Sequence, residues 1–323
     1  MKIPLHIISL VFLIGCATQH GFDRQVFLQR PERQLKTYHP TFDPNVVNRV
    51  RPAPKEILQY LNKMDSTDKY SAYVPTSGEL RLFSEYYALL PRKYQEIIGR
   101  NVVGIYFISN FAGGGMADFL FDENGKMYTA LYFNADLFHR SLAEWIGIRE
   151  NSAFSDDPTI DIKVESDENY RALIQTLFHE SSHIYDYYYH FTPYVQPFFK
   201  DKEDGRSREF TRGIWLDYRV PERDFSVLRD SKYSGYGLFG KIEKAQAAEL
   251  YRRLAHSPFS SLYGSLSWEE DFAETFSWYY LGTKLGISYK VTVLKDGKVV
   301  SEYDPAKNPL VMGRYSQLLP IVE

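Results

Sequence analysis

The chain has 323 residues, with 38 basic and 41 acidic side chains, a net charge of −3 and 44% hydrophobic content. That is enough apolar material for an ordinary globular core, and without a large basic block nucleic acid is excluded as the main partner. One cysteine rules out an internal disulfide, so the fold must stand without cross-links.

At the N-terminus, Lys2 precedes an apolar run from Ile7 to Ile14 that is too short to span a bilayer as a permanent helix. The run ends in Leu13-Ile14-Gly15-Cys16, which resembles the bacterial lipobox. Residues 1–15 are therefore expected to be a lipoprotein signal peptide and Cys16 the lipidated residue. The resemblance implies a protein held by alkyl chains to a membrane of the bacterial cell envelope, outside the cytoplasm. Ala17, rather than Asp, follows the cysteine and points to the outer membrane in a Gram-negative cell. Residues 16–55, polar and broken by Pro31, Pro40, Pro44, Pro52 and Pro54, predict a tether.

Residues 56–323 are expected to form one domain. A helix starts near 56 (Ile57, Leu58, Leu61), and a second spans roughly 78–98 with Pro91 disturbing it. Strands are predicted at 102–108, 117–121 and 127–133, the last two joined through Asp122-Glu123-Asn124-Gly125.

The next segment carries His179-Glu180-Ser181-Ser182-His183, the H-E-x-x-H pattern of a zinc hydrolase helix. Positions i and i+4 lie one above the other on a helix, so both imidazoles can bind one ion. Glu180 projects beside them, where a carboxylate serves as general base without being a ligand. Ser166 is predicted to cap this helix, with Asp167 and Glu168 in its first turn. Leu173, Leu177, Ile184 and Tyr188 recur at helical spacing, widened by Ile174, Phe178 and Tyr185, so the histidines sit in a buried helix. Tyr185, Tyr187, Tyr188 and Tyr189 are candidates for core packing or for the wall of a cleft.

A third ligand must come from elsewhere. A metzincin would place Gly at 186 and His at 189, but these are Asp186 and Tyr189. His190 points around the helix, away from His183. Residues 200–240 lack periodicity and read as an insertion, followed by a helix near 241–256. The segment from Ser265 to Gly282 then reads as a second helix, capped by Ser267 and stopped at Gly282. Glu270 and Glu274 share one face of it, so one can bind metal while the other receives the N–H of a ligand histidine. A capping box between Ser267 and Glu270 is the structural alternative. Residues 289–294 and 298–303 around Asp296-Gly297 predict a C-terminal hairpin.

The stretch Tyr263-Gly264, followed by Glu270-Asp271-Phe272-Ala273-Glu274-Thr275-Phe276, resembles the active-site segment of the anthrax lethal factor catalytic domain and its relatives, among them the Pro-Pro endopeptidases. Asp186, three residues after the second histidine, resembles that group's first helix. The separation of His183 from Glu270 exceeds the family's, which implies an insertion. The resemblance implies one Zn²⁺ held by His179, His183 and Glu270, Glu180 as general base, and Tyr263 as a phenol facing the oxyanion. It also implies that Glu274 and Asp186 support the ligands. The fold expected is α+β and zincin-like: mainly helical, with a small mixed sheet beside the H-E-x-x-H helix and the C-terminal hairpin. In such folds a sheet edge binds the substrate backbone, which makes 111–121, with its glycines, a candidate rim, with a plain flexible loop as the alternative.

The function expected is a zinc-dependent endopeptidase acting on peptides or proteins outside the cytoplasm. The alternatives are a non-catalytic binding lipoprotein on the same scaffold and a zinc hydrolase acting on cell-wall peptide.

Overall fold

The computed structural model describes residues 24–202, 209–228, 233 and 241–322. Cys16 and the expected signal peptide lie outside the described residues, as do parts of the expected insertion at 200–240. Among the described residues no helix is long and apolar enough to cross a membrane. The fold is α+β, and the chain divides into two compact units. The first takes the described residues up to Leu82 together with Ile98–Asp136; the second takes Phe83–Ile97 and the chain from Leu137 onward.

In chain order the first elements are α1 (Arg24–Leu28), α2 (Lys55–Met64), β1 (Ser71–Tyr73), α3 (Ser77–Ala88) and α4 (Arg92–Asn101). The single disturbed helix expected at 78–98 is thus two, parted where Pro91 lacks an N–H and restricts Leu90. Strands β2 (Val102–Ser109), β3 (Gly115–Phe121) and β4 (Met127–Asn134) complete the first unit's mixed sheet, in the order β1-β2-β4-β3. Strand β2 is apolar almost throughout and lies between two neighbours, with β4 parallel to it. The β3–β4 hairpin closes where Gly125 takes φ +76° and Asp122 Oδ1 accepts from Asn124 N at 2.9 Å. A Cβ at Gly104 would lie 2.2 Å from the Tyr106 hydroxyl, so glycine there lets the Tyr106 ring lie back along β2.

The described part of the expected tether is packed against this sheet. Gln34 bridges Phe121 and Val50 bridges Ile105. Tyr132 and Tyr38 share a hydrogen bond of 2.9 Å, and Tyr38 donates onward to Glu32 O. The Arg33 guanidinium is buried against Asp118 and Phe119 O, and Arg49 donates to Val102 O at 2.7 Å and Gly99 O at 2.8 Å. The prolines break the segment into short turns, but its arginines and Tyr38 bind it to backbone carbonyls and a buried hydroxyl.

The second unit holds α5 (Leu142–Ser152), β5 (Ile160–Ser166), α6 (Leu173–Tyr189), a two-stranded ribbon of β6 (Trp215–Asp217) and β7 (Val220–Pro221), α7 (Ala247–Ala255), α8 (Trp268–Leu285), β8 (Tyr289–Lys295) and β9 (Lys298–Tyr303). Ser166 ends β5 instead of capping α6, and its hydroxyl donates to Ser288 O at 2.6 Å. The alternation Ile160, Ile162, Val164 against Asp161, Lys163, Glu165 is a strand signal. Its sheet, β5-β8-β9, is antiparallel throughout. The mixed sheet, with the 111–121 segment, belongs to the first unit, and the unit that contains α6 carries this antiparallel one. The β8–β9 turn has Asp296 and Gly297 at φ +49° and +75°, the left-handed pair that a two-residue hairpin demands.

Helix α6 is buried on nearly every side, which explains the small Ser181 and Ser182 in its middle. Helix α8 packs along it. Ser267 occupies the N-cap position of α8 but gives no side-chain cap bond, so the capping box does not form and Glu270 is released from that role. The helix also runs past Gly282 and ends at Gly286, whose φ of +70° suits a C-terminal glycine.

Candidate metal centre

The spacing of His179 and His183 on α6 brings their Nε2 atoms to 3.1 Å, with the rings crossed at 83°. From α8, Glu270 Oε2 lies 3.1 Å from His179 Nε2 and 3.5 Å from His183 Nε2. Among the described residues these three are the one group of donors close enough to share an ion. Zinc bonds of about 2.0–2.1 Å set at tetrahedral angles separate their donor atoms by about 3.3–3.4 Å. The observed triangle matches that size. Glu270 Oε2 is buried, takes no hydrogen bond, and faces both imidazole nitrogens. A buried carboxylate oxygen left without a donor is costly, and a cation in the triangle removes the cost.

The electrostatics agree. Burial pulls the His179 imidazole down, but contacts with Glu270 and Glu274 outweigh it and push it up to about 10. Burial would raise the Glu270 carboxyl, yet the charges of His183 and His179 hold it well below the usual carboxylate range. The pocket thus favours positive charge at its centre.

Glu274 lies one turn beyond Glu270 and is fully buried. Its Oε1 sits 3.0 Å from His179 Nδ1, a charge contact that is not aligned as a hydrogen bond. With Nδ1 carrying the proton toward Glu274, the His179 Nε2 lone pair points into the triangle. Five further donors crowd the carboxylate: Arg149 Nη1 at 2.9 Å and Nη2 at 3.1 Å, Gln175 Nε2 at 3.0 Å, Ser261 Oγ at 2.6 Å and Trp278 Nε1 at 3.1 Å. Burial raises the Glu274 carboxyl, but Arg149 and His179 overcome that and keep it ionised.

Glu180 is buried beside His179, near enough for its charge to act on that imidazole. The half-buried Tyr263 donates to Glu270 Oε1 at 3.4 Å, and its ring lies 5.8 Å from that of His179. Gly264 allows this approach, since a Cβ there would meet the Glu274 Cβ at 3.3 Å. Asp186 is brought near but not into contact with a ligand nitrogen. Its oxygens accept from Thr192 N at 2.7 Å and Thr192 Oγ1 at 2.5 Å, fastening the chain after α6, while His183 Nδ1 takes no hydrogen bond. A purely structural site would need a fourth protein ligand, for which Asp271 and His190 are the nearest options in the sequence. Asp271 is clamped by Arg314 at 2.8 and 2.7 Å, and His190 is the left-handed C-cap of α6 at φ +51°. Tyr185 and Tyr187 are packed among Tyr94, Phe199 and other rings, which supports the core role.

Five participants escaped the sequence: Arg149, its neighbour Glu150, Ser261 and the Glu269–Tyr218 pair. Tyr218, in the β6–β7 turn, donates to Glu269, whose carboxyl is pushed far up by burial and by the adjacent Glu270. Gln175 was within reach, because it precedes His179 by one helical turn. Compared with protein-family models, curated proteins and solved structures, the chain matches none.

Proposed function

We propose that the chain is a zinc-dependent endopeptidase of zincin-like build, related to the lethal factor catalytic domain and the Pro-Pro endopeptidases, and tethered outside the cytoplasm through a lipid on Cys16. The observation that carries the reading is the donor triangle of His179, His183 and Glu270, with edges of 3.1, 3.1 and 3.5 Å. Three protein donors, two imidazoles and a carboxylate, are the set that catalytic zinc uses, whereas structural zinc closes all four positions with protein. Zinc bound there supplies a Lewis acid that makes water nucleophilic near neutral pH.

The chain's own residues account for the rest. Glu180 takes the proton of the attacking water and passes it to the leaving amine. Glu274 keeps the His179 ring turned so that Nε2 faces the ion. The Tyr263 phenol donates to the oxyanion as it develops, a bond strongest in the transition state. Buried carboxylates on two sides of His179 stabilise a dication better than an empty cavity.

The test uses the full chain purified in mild detergent. Elemental analysis is expected to find about one zinc in the wild type and in Glu180→Gln, and little in His179→Ala. Glu180→Gln is expected to lose at least about 100-fold in cleavage of an unfolded protein such as casein. A Glu180→Gln protein that cleaves at the wild-type rate would end the general-base assignment, and a folded wild type that refuses zinc would end the reading as a whole.

A further inference from the structure

We infer that Arg149 is a positioning residue that couples the two halves of this site, orienting His179 through Glu274 and Tyr263 through its own guanidinium face. The inference rests on the proposed zinc site and adds to it a residue outside the H-E-x-x-H and Glu270 motifs. Arg149 is 2% exposed and projects from α5, an element that holds no candidate ligand. Its fork meets both oxygens of Glu274, at 2.9 and 3.1 Å, and Glu274 Oε1 is the atom that faces His179 Nδ1. The same guanidinium carbon stands 5.5 Å from the centre of the Tyr263 ring, within range of a cation–π contact. Tyr263 in turn reaches the second oxygen of Glu270. One side chain therefore touches both the support of a metal ligand and the candidate oxyanion donor.

The anchoring of Arg149 argues for orientation over mere charge balance. Glu150 Oε1 accepts from its Nε at 3.2 Å and Nη2 at 3.1 Å, and Glu150 is held by Tyr251 at 2.5 Å. The guanidinium plane is fixed from two sides, so the Glu274 carboxylate cannot rotate without breaking parallel hydrogen bonds. Ser261 ties the same carboxylate to the turn that carries Tyr263: its hydroxyl donates to Glu274 Oε2 at 2.6 Å and accepts from Gly264 N at 2.9 Å. Lysine keeps the charge but lacks the planar fork and the stacking face, so Arg149→Lys separates position from charge.

The experiment combines zinc affinity, by competition with a chromophoric chelator, and a double-mutant cycle with Tyr263→Phe on the full chain. Arg149→Lys is expected to weaken zinc about 10–100-fold, as loss of a group that orients a ligand does. It is also expected to lower kcat for casein cleavage while KM moves less than about 2-fold, and to cost less in a Tyr263→Phe background than in the wild type, because coupled residues are non-additive. Arg314→Lys, at an equally buried pair on α8, is the structural control and is expected to leave zinc affinity unchanged. Wild-type zinc affinity in a folded Arg149→Lys protein, or strictly additive losses with Tyr263→Phe, overturns the inference while the zinc site stands. A wild type without zinc overturns both.

Discussion

Two buried carboxylates three residues apart on α8, Asp271 and Glu274, are each gripped by an arginine from outside the helix, and the two pairs do different things. Arg314 grips Asp271 with two hydrogen bonds of 2.8 and 2.7 Å, Trp215 Nε1 adds a third at 2.9 Å, and Thr275 a fourth at 3.1 Å. Among the described residues no hydrogen bond runs from this group to the histidines; it leads instead to Pro258 O and the Ser260 hydroxyl. Arg149 grips Glu274 just as firmly, but that carboxylate also faces His179 and so passes its position on to the donor triangle. Identical chemistry is a clamp in one place and a support in the other. An indole and a hydroxyl donate to both carboxylates; the difference is that Glu274 also faces an imidazole, and through it the donor triangle.

The largest contrast to break lies between adjacent residues. Glu270→Ala removes a donor and is expected to weaken zinc by more than about 100-fold, beyond what losing a supporting group costs. Asp271→Asn, one residue on, is expected to hold zinc like the wild type while lowering the melting temperature. Chelator competition with thermal unfolding separates them, and equal zinc losses would mean that Asp271 belongs to the site. Next in size is Arg314→Met, which strands Asp271 without its counter-charge and is expected to cost about 3–5 kcal/mol of stability in urea unfolding. Its zinc affinity, measured below the transition, is expected to stay unchanged. A smaller effect follows from Glu274→Gln, which keeps the shape but not the charge facing His179: zinc is expected to weaken about 10–100-fold. A loss no greater than that of Asp271→Asn would erase the distinction between clamp and support.

The same contrast explains what the sequence discloses. His179, Glu180, His183, Glu270 and Glu274 are legible because helical spacing fixes which side chains share a face, and the structure brings the donors among them to one point. Tyr263 depends on the resemblance, since nothing about a tyrosine near a helix start marks its target. Arg149 is invisible because no local pattern distinguishes a buried arginine in Leu142–Ser152 from a surface one; apart from the adjacent Glu150, its partners Glu274 and Tyr263 lie more than a hundred residues away. Ser166-Asp167-Glu168 mimics a helix cap because Asp167 does turn the chain, accepting from Asn169 N at 2.8 Å, but it ends a strand. Proline spacing suggested a tether at 16–55, and the anchoring of its described part by Arg33, Tyr38 and Arg49 depends on distant partners.

A third buried carboxylate completes the series, because it has no arginine. Asp186 relies on Thr192, and burial outweighs those hydrogen bonds to push its carboxyl from 3.8 up to about 6. A carboxyl raised in the fold stabilises the native state while it stays protonated. As pH rises from 3.8 towards about 6, the unfolded chain gives up its proton first, so this contribution falls with pH and is gone above the folded value. The slope is at most about 1.4 kcal/mol per pH unit. Asp186→Asn, which cannot ionise, is expected to lack that fall, so the gap between mutant and wild type in urea unfolding of chelator-treated protein is expected to change between pH 4 and 6 and to level off by about pH 7. A constant gap across the window would mean that the Thr192 bonds alone keep Asp186 ionised, and that a hydroxyl and an amide can do for a buried carboxylate on α6 what arginine does on α8.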